Sequence, residues 1–186
     1  MPAHRHASDY TPTGLAVAMH AALKKSGADI PLWFSRFADE SESHKSGIER
    51  AVFAMFCFWS GEMKLGTLPG VVKTLPGFLD KHEVVEVWYD PKKIEYTKLM
   101  EQAMAFQCAS IVYVNNDAQR AAATKAGVKT AELKDRRITP DREPKYYLRQ
   151  TVAARVPMTE SQACYLNKAI YDRSTEYKKE ANKPLE

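Results

Sequence analysis

The residues best suited to chemistry lie in Phe56-Cys57-Phe58-Trp59-Ser60-Gly61-Glu62. The apolar run Ala51-Val52-Phe53-Ala54-Met55 ahead of them is β-type, and the segment behind them is helix-compatible. Cys57 therefore falls at a strand-to-helix junction. The first N–H groups of the helix are unpaired there, and the helix dipole presents its positive end. Such a position stabilises a thiolate, the nucleophilic form of cysteine. The rings of Phe58 and Trp59 can wall an apolar pocket beside the sulfur. Free cysteine is also a common core residue, so on this segment alone a nucleophile and a packing cysteine both fit.

The other two cysteines, Cys108 and Cys164, are too scattered for a secreted disulfide framework, and no C-x-x-C is present. His4, His6, His20, His44 and His82 show no zinc-ligand spacing, so no metal site is expected. His4 and His6 are expected in a mobile terminus. No apolar signal region or membrane-length run occurs, which makes a reduced, cytoplasmic setting the expectation and argues against a membrane partner.

The chain has 186 residues, 45% hydrophobic and 27% charged, values that allow one domain with peripheral extensions. The net charge of +4 is concentrated late: from Arg120 to Arg155 there are ten Lys/Arg against four Asp/Glu. With no nucleic-acid-binding motif alongside, that excess reads as a solvated face, and no nucleic-acid partner is expected.

Several elements must position Cys57. Leu15, Met19, Ala22 and Leu23 recur at helical spacing up to Gly27, and Leu32-Trp33-Phe34 with Phe37 forms a small apolar cluster. Residues 1–47 are thus expected as a helical extension docked on the main unit. Glu49 to Met55 reads as a strand, Phe58 to Thr67 as a helix, Val71 to Thr74 as a short strand and Glu83 to Tyr89 as a strong one. Ile94 to Phe106 reads as a helix, Ser110 to Val114 as a strand, Asp117 to Ala126 as a helix and Val128 to Leu133 as an edge strand. The order β-α-β-β-α-β predicts an α+β fold, the ferredoxin-like split β-α-β two-layer sandwich, over residues 48–150. Thr159-Glu160-Ser161-Gln162 is a capping box. It opens a helix in a C-terminal tail, residues 151–186. Ala163, Leu166, Ile170 and Tyr177 share one face of that helix, whereas Cys164 points away and is expected to be accessible in the first turn.

Phe53 to Glu62 resembles the active-site segment G-C-F-W-G/C-x-E of the peptide-methionine sulfoxide reductase A family. Leu68-Pro69-Gly70-Val71 is similar to the L-P-G-V that follows that family's first helix, and His82 to Pro91 to its H-A-E-x-V-x-V-x-Y-D-P. Ile94 to Leu99 resembles I-S-Y-E-x-L, and Thr130 to Leu148 resembles the closing A-E-D-Y-H-Q-K-Y-L region. The resemblance runs from about Arg50 to Gln150, and it marks the chain as a divergent member with shortened loops.

That resemblance implies an oxidoreductase acting on the S epimer of methionine sulfoxide, or on a related small sulfoxide. Cys57 would attack the sulfur, Glu83 would protonate the departing oxygen, and Phe58 and Trp59 would hold the methyl group. A sulfenic acid on Cys57 would then be resolved by Cys108 or Cys164 and cleared by a thioredoxin-like reductant. No cofactor beyond that external thiol is implied. The chain departs from the family in several places. Phe56 and Ser60 replace glycines, the N-P-T-Y loop is absent, and so is the loop bearing the family's functional aspartate. Gln107-Cys108-Ala109-Ser110 matches Q-Y-R-S, which sets Cys108 where a second active-site tyrosine would stand. Tyr146 and Tyr147 are candidates to replace the lost hydroxyls. Two rival readings share the fold: a non-catalytic binding module and a thiol redox sensor.

Overall fold

The structure, a computed structural model, describes residues 14–181. His4 and His6 lie outside the described residues, as does the side chain of Tyr177. Two helices, α1 (Gly14–Ser26) and α2 (Leu32–Ser46), lead into strand β1 (Glu49–Met55) and helix α3 (Phe58–Leu65). The hairpin β2 (Val71–Leu79) and β3 (His82–Tyr89) follows, then α4 (Tyr96–Ala105), β4 (Ile111–Val114) and α5 (Asp117–Lys125). The short strands β5 (Thr130–Glu132) and β6 (Thr139–Pro140) precede α6 (Tyr146–Arg149), a 3-10 turn at Val152–Arg155, and the long α7 (Glu160–Ala181). No helix among the described residues is long and apolar enough to cross a membrane.

The fold is α+β, with a six-stranded sheet in the order β5-β4-β1-β3-β2-β6. β1 lies in its middle, antiparallel to both β3 and β4. Ala51, Phe53 and Met55 meet Leu65, Leu99, Met100 and Ala103 of the helices, while Val52 and Ala54 pack on the other face with Leu79, Val84, Tyr113 and Leu133. This two-sided burial is why β1 reads as an unbroken apolar run rather than an alternating one. The edge strand expected at Val128 to Leu133 shortens to β5 and pairs parallel to β4.

The strand expected at Val71 to Thr74 extends to Leu79, because Pro76 does not end it. A proline lacks only the N–H, and the Pro76 carbonyl still accepts from the N–H of Asp141 at 2.9 Å. The turn to β3 is two residues, Asp80 and Lys81, both left-handed at φ 50° and 67°. That conformation matches the strand twist of a tight hairpin. Segment 76–81 is therefore hairpin, with no inserted loop.

Helix α7 starts as its capping box predicts: the Gln162 N–H donates to Thr159 Oγ1 at 3.4 Å, and the Thr159 N–H donates to Gln162 Oε1 at 2.9 Å. α2 is tied to it through Glu40, whose carboxylate accepts the Ser161 N–H at 3.0 Å. Among the described residues the apolar stripe of α1 is largely open, with Leu15 70% exposed and Met19 51%, and the helix packs chiefly against α2.

Asp90 links α2 to the sheet. Its buried carboxylate accepts from the Ser46 hydroxyl at 2.7 Å and from the Lys92 N–H at 3.0 Å. Burial alone would raise its pKa, but these hydrogen bonds outweigh burial and hold it below the ordinary aspartate value. A depressed carboxyl adds stability above the unfolded-state pKa, and that stability is lost as pH falls through the folded value. Replacing it by asparagine should flatten the acid limb of the stability curve below about pH 4. Unfolding by urea at several pH values checks this, and an Asp90→Asn protein with the parent's acid slope would contradict it.

Candidate functional site

Cys57 is the N-cap of α3, extended at φ −131° and ψ 105° and half-buried. Two close approaches fix the helix start. A side chain on Gly61 would place its Cβ 1.9 Å from Met55 Sδ, so the end of the Met55 side chain lies directly against the glycine where α3 packs on β1. The Phe58 N–H donates to Glu83 Oε2 at 2.7 Å. Glu83 reaches that point because β3 pairs it with Met55 on one side and with Phe78 on the other. One carboxylate thereby satisfies an orphan N–H of the helix whose first residue follows the thiol. Glu83 thus reaches the residue next to Cys57.

Aromatic rings line the same end. Phe58 is buried, with Phe78 edge-on at 5.1 Å. Trp59 is half-buried and donates its indole N–H to Asp141 Oδ2 at 2.9 Å. Tyr146 stacks on Trp59 at 4.1 Å, with 16° between the planes. Tyr147 packs edge-on against Tyr146 and touches Tyr171 of α7 at 4.8 Å. Burial pushes the Tyr147 hydroxyl pKa up, and the nearby Cys57 adds to the shift, so this hydroxyl lies within electrostatic reach of the thiol. Phe56 contributes nothing inside, being 96% exposed.

The other two thiols have different placements. The β1–β4 register pairs Val52 with Tyr113, Phe53 with Val112 and Ala54 with Ile111. Cys57 and Cys108 both lie just beyond the same end of this ladder, Cys57 after β1 and Cys108 ahead of β4. Cys108 is buried in the helix-side core, where its thiol donates to the Phe106 carbonyl at 3.3 Å. Burial raises its pKa, with Lys64 opposing and Cys57 adding.

Cys164 corrects an expectation: it is 1% exposed, not accessible. Its helix packs against β2, α3, α2 and α6, and this packing encloses the Cys164 side of the first turn. The sulfur sits 3.3 Å from Thr74 Oγ1, and burial pushes its thiol pKa up. It lies beside Gly66 at the C-terminal end of α3, whereas Cys57 is at the N-terminal end. An eight-residue helix is about 12 Å long, so these two thiols are at opposite ends of it.

Between them runs a buried strut. Lys145, left-handed at φ 56°, donates from Nζ to Glu62 Oε1 at 2.8 Å and to the Thr74 carbonyl at 2.7 Å. Its backbone N–H donates to Glu62 Oε2 at 2.7 Å. Burial alone would lower the Lys145 pKa, but the facing Cys164, Glu62 and Glu160 outweigh it and hold the ammonium above its ordinary value. The strut fixes α6, and with it Tyr146 and Tyr147, over α3.

Sequence reading missed Phe78, Asp141 and Lys145. Phe78 sat in a segment read as a connector, and a lone aspartate in a basic stretch carries no signal of its partner. Among the described residues no cluster of histidine, cysteine or carboxylate side chains could hold a metal ion. The site offers a nucleophilic sulfur, a carboxyl group at the same helix start and an aromatic wall.

No family model matches the chain. Curated relatives are similar over shorter stretches. Peptide methionine sulfoxide reductase A5 of Oryza sativa subsp. japonica is 41% identical over 66 residues, 28% of this chain and 26% of the relative. Peptide methionine sulfoxide reductase A2-2 of the same plant is 36% identical over 80 residues, 34% of this chain and 42% of the relative. Peptide methionine sulfoxide reductase MsrA of Salinispora arenicola is 38% identical over 72 residues, 30% of this chain and 33% of the relative. Each of these three matches spans less than half of the relative's length. Among solved structures, methionine sulfoxide reductase A of Corynebacterium diphtheriae is 20% identical with a TM-score of 0.38, over 71% of this chain and 78% of that one. That likeness is too slight to bear on the fold. The resemblance of the chain to peptide methionine sulfoxide reductase A is borne out by these sequence relatives.

Proposed function

We propose that this divergent relative of peptide methionine sulfoxide reductase A reduces methionine sulfoxide, or a related small sulfoxide, at Cys57. The observation that carries the reading is the shared helix start. Cys57 caps α3, and Glu83 holds the first N–H of the same helix at 2.7 Å. The Cys57 thiolate attacks the sulfoxide sulfur while Glu83 protonates the oxygen; the S–O and S–S bonds of that adduct then break, the oxygen passes as hydroxyl to the Cys57 sulfur, and the thioether departs. Phe58 and Trp59 take the methyl group, and Tyr147 is the hydroxyl best placed to steady the oxygen. By resemblance the S epimer is the substrate. The product is methionine with a sulfenic acid on Cys57.

A second thiol condenses with that sulfenic acid, and a thioredoxin-like donor in a reducing compartment such as the cytoplasm restores the enzyme. Both other thiols are buried, and the position of Cys57 and Cys108 beyond the same end of the β1–β4 ladder supports Cys108 as that thiol over Cys164 at the far end of α3. No cofactor beyond the external thiol enters this scheme. The order β4-β1-β3-β2 of the central strands supports reading residues 48–150 as a ferredoxin-like unit, with residues 1–47 and 151–186 as helical extensions.

Incubation with methionine sulfoxide and dithiothreitol tests the reading. Continuous release of methionine is expected, with the S epimer consumed and the R epimer left. Peroxide-driven disulfide formation without any methionine would favour the redox sensor, and neither outcome would leave a binding module. Glu83→Gln keeps an acceptor for the Phe58 N–H but removes the acid. Its turnover should fall by roughly 10²- to 10³-fold with the fold intact by circular dichroism. A Glu83→Gln protein working at the parent rate would remove Glu83 from the mechanism.

A further inference from the structure

Lys64 of α3 donates from Nζ to the Phe106 carbonyl at 3.3 Å, and the Cys108 thiol donates to the same oxygen at 3.3 Å. Phe106 and Cys108 flank Gln107, which is left-handed at φ 60° and folds the chain so that the thiol meets this carbonyl. Lys64 is half-buried, and among the described residues no carboxylate forms a salt bridge with it. An ammonium and a thiol thus converge on one acceptor, beyond the same end of the β1–β4 ladder as Cys57.

We propose that Lys64 is the positioning residue that readies Cys108 to attack oxidised Cys57. This rests on the sulfoxide-reductase reading, in which the sulfoxide itself is the oxidant. The Cys108 S–H loses its proton, and the thiolate attacks the sulfur of the Cys57 sulfenic acid. An S–S bond forms, the S–O bond breaks, and the departing hydroxide takes the proton and leaves as water. Once the proton has gone, the thiolate no longer donates to the Phe106 carbonyl. It needs a compensating positive charge, and Lys64 stands at that oxygen. Without it, a thiolate in an apolar core would be strongly disfavoured. The charged and thiol groups acting on Cys108 are Lys64 and Cys57; the core cluster it belongs to is otherwise aliphatic and aromatic, with the Tyr89 and Tyr96 hydroxyls as its further titratable groups.

The first arm of the test uses Cys57→Ser/Cys164→Ser protein, which leaves Cys108 as the single thiol. Alkylation by iodoacetamide is followed by mass spectrometry across pH. Adding Lys64→Met should slow alkylation several-fold near neutral pH and displace the profile to higher pH, and Lys64→Arg should restore it. Equal slowing at every pH, or no change, would overturn the proposal, since altered packing would scale the rate without moving the profile.

The second arm uses Cys164→Ser protein with methionine sulfoxide and no reductant. Lys64→Met should release methionine as the parent does, yet leave more Cys57 sulfenic acid for dimedone to trap. Methionine released with an unchanged dimedone yield would overturn the role of Lys64 alone. No methionine from the Cys164→Ser parent would overturn the sulfoxide-reductase reading, and the resolving role with it, whatever the alkylation profile shows.

Discussion

A Cys57→Ser protein is expected to form no methionine from methionine sulfoxide, a loss of roughly 10⁴-fold or more set by the floor of the assay. The fold should tolerate the exchange. The side chain at position 57 makes no capping hydrogen bond, and serine is itself a favourable N-cap residue. What is lost is the sulfur chemistry. A serine hydroxyl is not ionised near neutral pH, and it cannot pass through a sulfenic acid and a disulfide. Chromatographic measurement of methionine, with dithiothreitol in excess, checks the expectation. Turnover surviving in Cys57→Ser would move the reaction to another residue.

Removing Lys145 should have the largest effect on stability. Lys145→Met leaves the fully buried Glu62 carboxylate with one backbone N–H as its partner and frees the Thr74 carbonyl. Breaking a buried ion pair from one side costs about 3–5 kcal/mol, a large part of the ~5–15 kcal/mol that holds a typical domain together. Replacing both partners is far milder, because no uncompensated charge remains. The double variant Glu62→Leu/Lys145→Met should therefore recover much of the loss. Urea unfolding monitored by circular dichroism measures both. A single variant that unfolds at the parent's midpoint would show that the strut does not hold α6 in place. Loss of the strut should also loosen Tyr146 from Trp59 and so weaken substrate binding in the surviving protein.

The parts of the site that could be read from the chain are those set by local pattern. The change from an apolar strand to a helix at Cys57 is visible because a two-sided buried strand is an uninterrupted apolar run. Glu83 followed from its distance to Tyr89-Asp90-Pro91, a spacing fixed by one strand. Residues whose environment depends on more than one neighbouring element were misread. Cys164 was expected to be exposed because a single helical stripe defined the inside of α7, but that helix is enclosed on several sides. On α1 a comparable stripe, Leu15 and Met19, is largely exposed among the described residues. Pro76 concealed half of β2, since a proline normally ends a central strand and here only its carbonyl is needed. Lys145 gave no signal at all: a lysine in a basic stretch reads as a surface charge until Glu62 and Thr74 are brought around it.

The claim that Cys57 reduces a sulfoxide is tested most directly by a single turnover without reductant. Fully reduced protein is mixed with excess methionine sulfoxide, quenched in acid, and assayed for methionine and for remaining free thiols. The predicted result is methionine equimolar with protein, accompanied by loss of the Cys57 thiol together with a partner thiol. Intact thiols with no methionine formed would contradict it.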